Sequence, residues 1–195
     1  MSLANSIHTQ FTSSIDLKSQ LLHDTLLLGK IESIISILVE TFQKKNKLVL
    51  CGNGGSAADA QHLAAEFSGR YYYDRPPLYA EALHVNTSYI TAVANDYSFE
   101  MVYARMIEAM CIEGDVLIAL STSGNSANVI EAARKAKEKN MKVISFTGKT
   151  GGKLAELSDV LINIPSIDTP RIQECHMLIG HIICKEVEEL IFPKK

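Results

Sequence analysis

Four short, strongly apolar runs constrain the fold of this chain more than any other feature. They are LVLC at 48–51, DVLIALS at 115–121, KVISFT at 142–147 and VLINIP at 160–165. Uninterrupted apolar runs of this length are typical of parallel strands that are buried on both faces of a sheet. Helical segments predicted at 57–68, 127–140 and 151–158 separate the runs, and a long helix is predicted at about 171–191. The alternation predicts an α/β fold with a doubly wound parallel sheet sandwiched by helices.

A helical arm is predicted to precede the first strand. Apolar residues recur at helical spacing from Ile31 to Phe42, and a further helix is predicted over 6–28, ending near Gly29. Another strand is predicted at 79–85, and Thr169 and Pro170 are predicted as the N-cap and first residue of the long helix. Since the sequence shows no linker or repeat, residues 1–195 are expected to form one domain, with the arm at 1–45 and the α/β core at 46–195.

Charge and composition exclude several classes of protein. The net charge is −3, with 19 basic and 22 acidic residues interspersed, which favours neither nucleic acid nor a membrane surface as a partner. The 4 cysteines are scattered through apolar segments and are expected to be reduced. The N-terminus lacks a signal-peptide pattern, and no apolar run approaches the ~18 residues of a membrane span. A small-molecule partner and a cytoplasmic location are therefore expected.

Two polar loops follow predicted strands, at the places where open parallel sheets bind their ligands. They are GNGGS at 52–56 and STSGNS at 121–126, and each leads into a predicted helix. Hydroxyl groups together with the free amides of a helix N-terminus suit a phosphate monoester. Alternatively, the glycines only turn the chain and Ser126 only caps a helix. The two interpretations are about equal for either loop alone, and two such loops together favour phosphate binding.

A dinucleotide fold is the competing interpretation of the first loop, because Gly52, Gly54 and Ala57 fit the G-x-G-x-x-A pattern. That fingerprint also requires an acidic residue about 20 positions later, at the end of the next strand. The corresponding stretch is RYYYDRPP, in which Asp74 stands before two prolines, a poor place for the end of a parallel strand. Phosphate binding is therefore preferred over nicotinamide binding.

The helix that begins at the first loop carries a histidine and a glutamate on one face. His62 and Glu66 are four residues apart, so their side chains leave the helix on the same side. In an arbitrary helix such a pair is an exposed contact of little consequence, but beside an anion loop the carboxylate is a reasonable general base. In the C-terminal helix, Gln173, His176 and His181 interrupt an apolar pattern, and His176 is predicted to be a hydrogen-bonded core residue.

Four longer stretches resemble a known family. They are CGNGGSAADAQHLAAEFSGRY, TAVANDYSFE, GDVLIALSTSGNSANVIEAARKAKEKNMKVISFTGKTGGKLAE and RIQECHMLIGH, which together span nearly all of 45–185. They resemble the sugar isomerase (SIS) domain, a flavodoxin-like or Rossmann-like fold, and specifically the phosphoheptose isomerase family. The resemblance implies a cytoplasmic homotetramer that converts sedoheptulose 7-phosphate to glycero-manno-heptose 7-phosphate. In that family, the reaction begins the supply of heptose for bacterial surface glycans such as lipopolysaccharide and capsule.

The same resemblance implies roles for individual residues. Glu66 is the implied catalytic base and His181 the implied catalytic acid. Residues implied in substrate binding are Asn53, Gly54, Gly55, Ser56, Asn95, Asp96, Ser121, Thr122, Ser123, Ser126 and Gln173. One zinc ion per subunit is implied, with the ligands His62, Glu66, Gln173 and His181. The chemistry agrees, because moving a carbonyl from C2 to C1 needs a base that carries a proton between the carbons and a donor for the enediolate oxygens.

Two alternative functions compete with this hypothesis. A catalytically silent SIS relative that binds a partner protein, such as the replication-initiator-associating type, lacks the carboxylate and the histidine that Glu66 and His181 provide here. An isomerase of a shorter phosphosugar is not distinguished by the loops.

A glutamate bound to zinc is a poor proton acceptor, because its lone pairs are committed to the ion. Finally, Pro170 stands where some family members carry an acidic residue, so any substrate contact of that carboxylate is absent here.

Helix geometry predicts a site that is shared between subunits. Gln173 and His181 are eight residues apart, which corresponds to about 12 Å along a helix axis. Metal bonds to nitrogen or oxygen are only about 2.0–2.2 Å long. Gln173 and His181 are therefore expected to come from different subunits, with the C-terminal helices packed together and the site shared across the interface.

Overall fold

Five parallel strands form the sheet of this computed structural model, which describes residues 2–194. The strands are β1 (Leu48–Cys51), β2 (Ala80–Ala82), β3 (Val116–Ser121), β4 (Lys142–Thr147) and β5 (Val160–Asn163). Their spatial order is β2-β1-β3-β4-β5, and every neighbouring pair is parallel. This is the flavodoxin-like order of a doubly wound sheet, so the predicted fold class is confirmed.

Helices cover both faces of the sheet. They are α1 (Leu3–Leu22), α2 (Thr25–Gln43), α3 (Gly55–Ser68), α4 (Thr87–Asp96), α5 (Val102–Met110), α6 (Ala127–Glu138) and α7 (Thr169–Ile191). One face, which includes Leu50 and Ile118, shares a core with α1, α2, α3 and α7. The other face, which includes Val49 and Leu117, shares a core with α4, α5 and α6. Within residues 2–194, none of the helices combines the length and the apolar character that crossing a bilayer requires.

The winding of the chain changes direction between β1 and β3, which are neighbours in the sheet. After β1 the chain enters α3 on one face, and after β3 it enters α6 on the other face. The loops at the carboxyl ends of these two strands therefore diverge and leave a crevice between them. Open α/β sheets bind their ligands at such a switch point, and both predicted polar loops lie there.

The N-terminal arm consists of two helices, as predicted, but the break between them is at His23 and Asp24 rather than near Gly29. Asp24 is the N-cap of α2, and its carboxylate accepts a hydrogen bond from the Leu27 amide at 2.9 Å. A side-chain cap of this kind stabilises the start of a new helix. Gly29 lies inside α2, so the aspartate, and not the glycine, marks the boundary.

Some other boundaries differ from the predictions. The segment at 151–158 is a short 3-10 helix, Gly152–Leu157, rather than an α-helix. Gly151 and Gly152 have φ angles of 73° and 54°, which lie outside the right-handed helical region. The C-terminal helix begins at Thr169, with Asp168 as N-cap, so Pro170 is its second residue. The predicted strand at 79–85 is present as the shorter β2, and the predicted helices at 57–68 and 127–140 correspond to α3 and α6.

Candidate active site

The first polar loop connects β1 to α3 at the edge of the crevice. Gly54 precedes α3 with a φ of 55°, a conformation that glycine adopts without strain. No side chain among the described residues caps α3, and the Ser56 and Ala57 amides donate to the carbonyl groups of Asn53 and Gly54 at 3.0 and 3.1 Å. The positive end of the helix dipole still favours an anion at this position. Asn53 and Asn128 of α6 exchange two side-chain hydrogen bonds, at 2.8 and 2.9 Å. Because Asn128 is buried, this pair holds the first loop in a fixed position against α6.

The second polar loop connects β3 to α6 and gathers three hydroxyl groups. Ser121 Oγ lies 2.9 Å from Ser126 Oγ and 3.4 Å from Ser123 Oγ. Ser126 occupies the N-cap position of α6, yet within residues 2–194 its side chain makes no capping hydrogen bond. The three hydroxyl groups therefore stand together in front of a helix N-terminus, an arrangement that suits the oxygens of a phosphate. This geometry supports the phosphate interpretation of the loop over the capping interpretation.

The predicted proton carriers and metal ligands meet where α3 and α7 pack together. His62 Nε2 lies 2.9 Å from His181 Nε2 and 3.2 Å from Glu66 Oε1. Each of the three residues offers one ligand atom, and these atoms all lie within 4.8 Å of one another. Two imidazoles and one carboxylate are a donor set of catalytic zinc sites, which keep a further position for water or substrate. The chemistry of these three residues therefore fits a zinc ion.

A glycine in α7 permits this close approach of the helices. A Cβ added at Gly180 would lie 2.6 Å from Leu63 Cδ2, closer than real Cβ contacts. Leu63 and Gly180 are the sequence neighbours of His62 and His181. The helix contact that requires a glycine therefore also brings the two imidazoles together, a role that the sequence alone did not indicate.

Glu66 and His181 meet within one chain, so these two residues come together without a second subunit. The spacing argument concerned Gln173 and His181, which lie on the same helix, whereas Glu66 and His62 approach His181 from α3. The side-chain amide of Gln173 lies where a Cβ on Gly55 would project, beside the first loop. The structure therefore groups three of the four predicted metal ligands and places the fourth at the start of α3.

The remaining predicted site residues lie at the two polar loops and at the end of α4. Ser56 is buried in the first turn of α3, and the carbonyl of Thr122 accepts a hydrogen bond from the Gly148 amide at 2.9 Å. Asn95 and Asp96 are exposed at the end of α4, where the Asn95 amide donates to the Asp96 carboxylate at 2.9 Å. No hydrogen bond in the described part of the chain links that pair to either polar loop.

Asp59 is a site residue that the sequence did not reveal. It lines a cavity of about 610 Å³ together with Lys18, Gln173 and His181. Its Oδ2 atom is buried and has no hydrogen-bond partner among residues 2–194. Burial raises the pKa of the Asp59 carboxyl to about 6, and the nearby His62 acts in the opposite direction. Its spacing of three residues before His62 was the available signal, because i, i+3 residues share a helix face.

His176 is a core residue, as predicted, and is completely buried. Its Nε2 atom lies 3.1 Å from the Thr147 carbonyl oxygen, to which it donates, and its Nδ1 atom has no hydrogen-bond partner in the described chain. Burial lowers the pKa of His176 to about 4, and the hydrogen bond to Thr147 opposes that shift. The folded protein therefore holds this imidazole neutral at pH values where an unfolded chain binds a proton.

The titration of His176 should weaken the fold in mild acid. Between pH 6.5 and 4 the unfolded state binds a proton that the folded state excludes, so the free energy of unfolding falls as pH falls. From pH 7.5 to 5 the loss should be about 2 kcal/mol, at about 1.4 kcal/mol per pKa unit. His176→Gln keeps a donor for Thr147 but cannot titrate, so urea unfolding at both pH values should show a smaller loss. Equal losses in the two proteins would contradict this assignment.

The sequence of this chain resembles those of known proteins over nearly its whole length. The family model described as the SIS domain matches residues 11–148. The phosphoheptose isomerase of Aneurinibacillus thermoaerophilus is 50% identical over 189 residues, which cover 97% of this chain and 96% of that protein. The phosphoheptose isomerase of Clostridium acetobutylicum is 47% identical over 193 residues, which cover 99% of this chain and 98% of that protein.

Solved structures show the same likeness. A phosphoheptose isomerase from Neisseria gonorrhoeae has a TM-score of 0.90 and 41% identity, and the match covers 96% of this chain and 100% of that one. A phosphoheptose isomerase from Francisella tularensis has a TM-score of 0.93 and 34% identity, with 97% and 100% covered. The likeness therefore includes the strands, both polar loops and the helices that carry the histidine and glutamate cluster.

Proposed function

The chain belongs to the SIS domain family, within it to the phosphoheptose isomerases, and from this premise we propose that it converts sedoheptulose 7-phosphate to D-glycero-D-manno-heptose 7-phosphate. One observation supports this most strongly: the serine loop at 121–126 lies at the same crevice as the start of α3, and α3 carries His62 and Glu66 farther along, where they meet His181. The substrate likewise has a phosphate at one end and its reacting carbons at the other. The product would supply heptose for surface glycans.

The phosphate is proposed to bind at the serine loop. Ser121, Ser123 and Ser126 present grouped hydroxyls at the N-terminus of α6, and Thr122 belongs to the same turn. The residues at the start of α3, Asn53, Gly54, Gly55 and Ser56, would bind sugar hydroxyls together with Gln173. Asn95 and Asp96 are also proposed substrate contacts, on resemblance alone. Holding the phosphate far from the reacting carbons would orient them for proton transfer.

Glu66 is proposed to move the proton. Its carboxylate would remove a proton from C1 of the ketose and deliver it to C2, which leaves the carbonyl at C1. His181 would exchange a proton with the sugar oxygens as the charge of the enediolate forms and disappears. His62 contacts both residues, at 3.2 Å from Glu66 and 2.9 Å from His181, and would hold the two side chains in position relative to each other.

A zinc ion is proposed as the cofactor, one per subunit, held by His62, Glu66 and His181, with Gln173 as a further ligand. The donor atoms of the three grouped side chains lie within 4.8 Å of one another, which supports this proposal. When bound, zinc supplies a Lewis acid beside the sugar oxygens. Glu66 has two carboxylate oxygens, so one could bind metal while the other serves as the base.

Removal of the metal should inactivate the enzyme. We expect dialysis against a chelator to abolish turnover and added zinc to restore it. His62→Ala should bind zinc at least about 10-fold more weakly, because even residues that only support metal ligands contribute 10- to 100-fold in affinity. Zinc content measured by atomic emission, together with a competing metal dye, checks both results. His176→Gln, altered outside the cluster, is the control and should keep its zinc; activity indifferent to chelation would contradict the proposal.

The protein is further proposed to be a cytoplasmic homotetramer. Large apolar side chains are exposed along α1 and α7, among them Ile7, Phe11, Ile15 and Ile182. An apolar cavity of about 380 Å³ lies between these helices and α2. Apolar surface of this extent suits burial between subunits, which supports assembly through the arm and the C-terminal helix.

Two alternative functions are separated by one experiment. A silent, partner-binding relative would turn over no sugar, and an isomerase of a shorter phosphosugar would prefer fructose 6-phosphate. The presence of both Glu66 and His181 in one cluster argues against the silent relative. The purified protein should be incubated with sedoheptulose 7-phosphate and with fructose 6-phosphate, and aldose formation followed in each. We expect the heptulose phosphate to be the better substrate by kcat/KM; the reverse order would overturn the assignment of the substrate.

A further inference from the structure

We propose that the buried ion pair of Arg75 and Glu188 positions the proton carriers, by fixing the end of α3 and the ring of His181 in one network. The inference rests on the proposed function, and it concerns residues outside the catalytic cluster. Arg75 Nε lies 3.0 Å from Glu188 Oε1, and the two side chains are only 2% and 1% exposed. Such a pair is by itself weak support for stability, because desolvation of both charges offsets their attraction.

Arg75 binds the end of the helix that carries Glu66. Its Nη2 group donates to the carbonyl oxygen of Glu66 at 2.8 Å, and Nη1 donates to that of Phe67 at 2.7 Å and to that of Gly69 at 3.1 Å. The last carbonyl groups of a helix have no partner within the helix. The guanidinium thus acts as a side-chain cap on the turn from which the Glu66 carboxylate projects.

Glu188 connects the same network to His181. Its two carboxylate oxygens accept hydrogen bonds from the amides of Tyr71 and Tyr72, at 2.9 and 2.8 Å. The ring of Tyr71 stacks on the imidazole of His181, with centroids 5.8 Å apart and an angle of 30° between the rings. The carboxylate therefore anchors the segment whose aromatic ring restrains His181, and Glu188 lies on the same helix as that histidine.

The chain contains a second buried ion pair that serves as a matched control. Asp115 is fully buried and accepts from the Lys47 and Ile112 amides at 3.0 and 2.8 Å, and the Lys47 ammonium lies 2.7 Å from its second oxygen. This carboxylate resembles Glu188 in burial and partners. It lies at the amino end of β3, however, at the opposite edge of the sheet from the catalytic cluster. Loss of its charge should affect stability without reaching Glu66 or His181.

The experiment compares three variants with this control. Arg75→Lys keeps the charge but loses the planar fork that reaches the carbonyls, and Glu188→Gln removes the negative charge. Tyr71→Leu keeps an apolar side chain against the core but removes the ring that stacks on His181. Each should lower kcat about 10- to 100-fold and weaken zinc binding, as loss of supporting contacts does at metal sites. KM should change less than about threefold, because the serine loop is untouched. Asp115→Asn should keep its kcat despite a comparable fall in Tm.

The outcomes separate this inference from the proposed function. If the unaltered protein does not isomerise sedoheptulose 7-phosphate, the proposed function fails, and zinc affinity across the variants still tests the positioning role. If the unaltered protein is active and the folded variants keep kcat and zinc affinity, the positioning role is overturned. A fall of kcat in Asp115→Asn equal to that in Glu188→Gln would also overturn it. Should Arg75→Lys fail to fold, Glu188→Gln and Tyr71→Leu decide.

Discussion

Glu66→Gln should lower kcat by about 10²-fold or more in a protein that still folds. General base catalysis typically contributes 10²- to 10⁴-fold, and an amide of the same shape cannot accept the C1 proton. Glu66 is partly exposed and its oxygen lies 3.2 Å from His62 Nε2, so the substitution disturbs little packing. Turnover should be measured with sedoheptulose 7-phosphate, with circular dichroism to check the fold.

Glu189→Gln is the control for this prediction. Glu189 is an exposed carboxylate on α7 that pairs with Lys185 at 2.9 Å, far along the helix from the first loop. The control should keep the kcat of the unaltered protein. Near-normal turnover in a folded Glu66→Gln protein would remove this carboxylate from the mechanism and leave it only a metal-binding role.

The second large effect concerns the serine loop. Ser121→Ala and Ser126→Ala should each raise KM for the phosphosugar by about tenfold or more, because a hydrogen bond to a charged group contributes about 1.5–3 kcal/mol. The two hydroxyls lie 2.9 Å apart, so the double substitution should not be additive. Steady-state kinetics give KM, and titration with inorganic phosphate gives the affinity for the anion alone.

A second hydroxyl pair in the molecule provides the control. Ser158 donates to Ser145 at 2.6 Å in the part of the core that β4 contributes, away from the crevice. Ser158→Ala should leave KM unchanged. If the serine-loop variants also left KM unchanged, or if phosphate bound elsewhere in a crystal while this loop stayed empty, the phosphate assignment would be abandoned.

Much of the architecture could be predicted because it depends on local patterns. The buried strands are continuous apolar runs, and the polar loops follow them directly in the chain. The sequence predicts the end of the first helix near Gly29, because glycine commonly ends helices. The break lies instead at Asp24, whose side chain caps the second helix. The glycines at 151 and 152 likewise shorten a segment whose composition favoured a helix.

The parts of the site that could not be predicted depend on contacts between distant segments. His62 and His181 are 119 residues apart in sequence, and the packing of α3 on α7, with Gly180 against Leu63, brings them together. Asn128 pairs with Asn53 across 75 residues. The partners of a buried asparagine or arginine lie on other elements, so the sequence around it has no distinctive pattern. The roles of Asn128 and Arg75 could therefore be inferred only from the contacts in the folded structure.

The central claim is that a carboxylate-mediated proton transfer at this cluster isomerises a phosphorylated heptulose. The most direct test is proton NMR of sedoheptulose 7-phosphate with the purified zinc-loaded protein in deuterium oxide. Glu66 is 23% exposed, so a proton that it carries can exchange with solvent before delivery. We predict an aldose product with deuterium at C2, formed about 10²-fold or more slowly by Glu66→Gln at the same enzyme concentration. Absence of the aldose, or aldose formation by Glu66→Gln at the rate of the unaltered protein, would contradict the account.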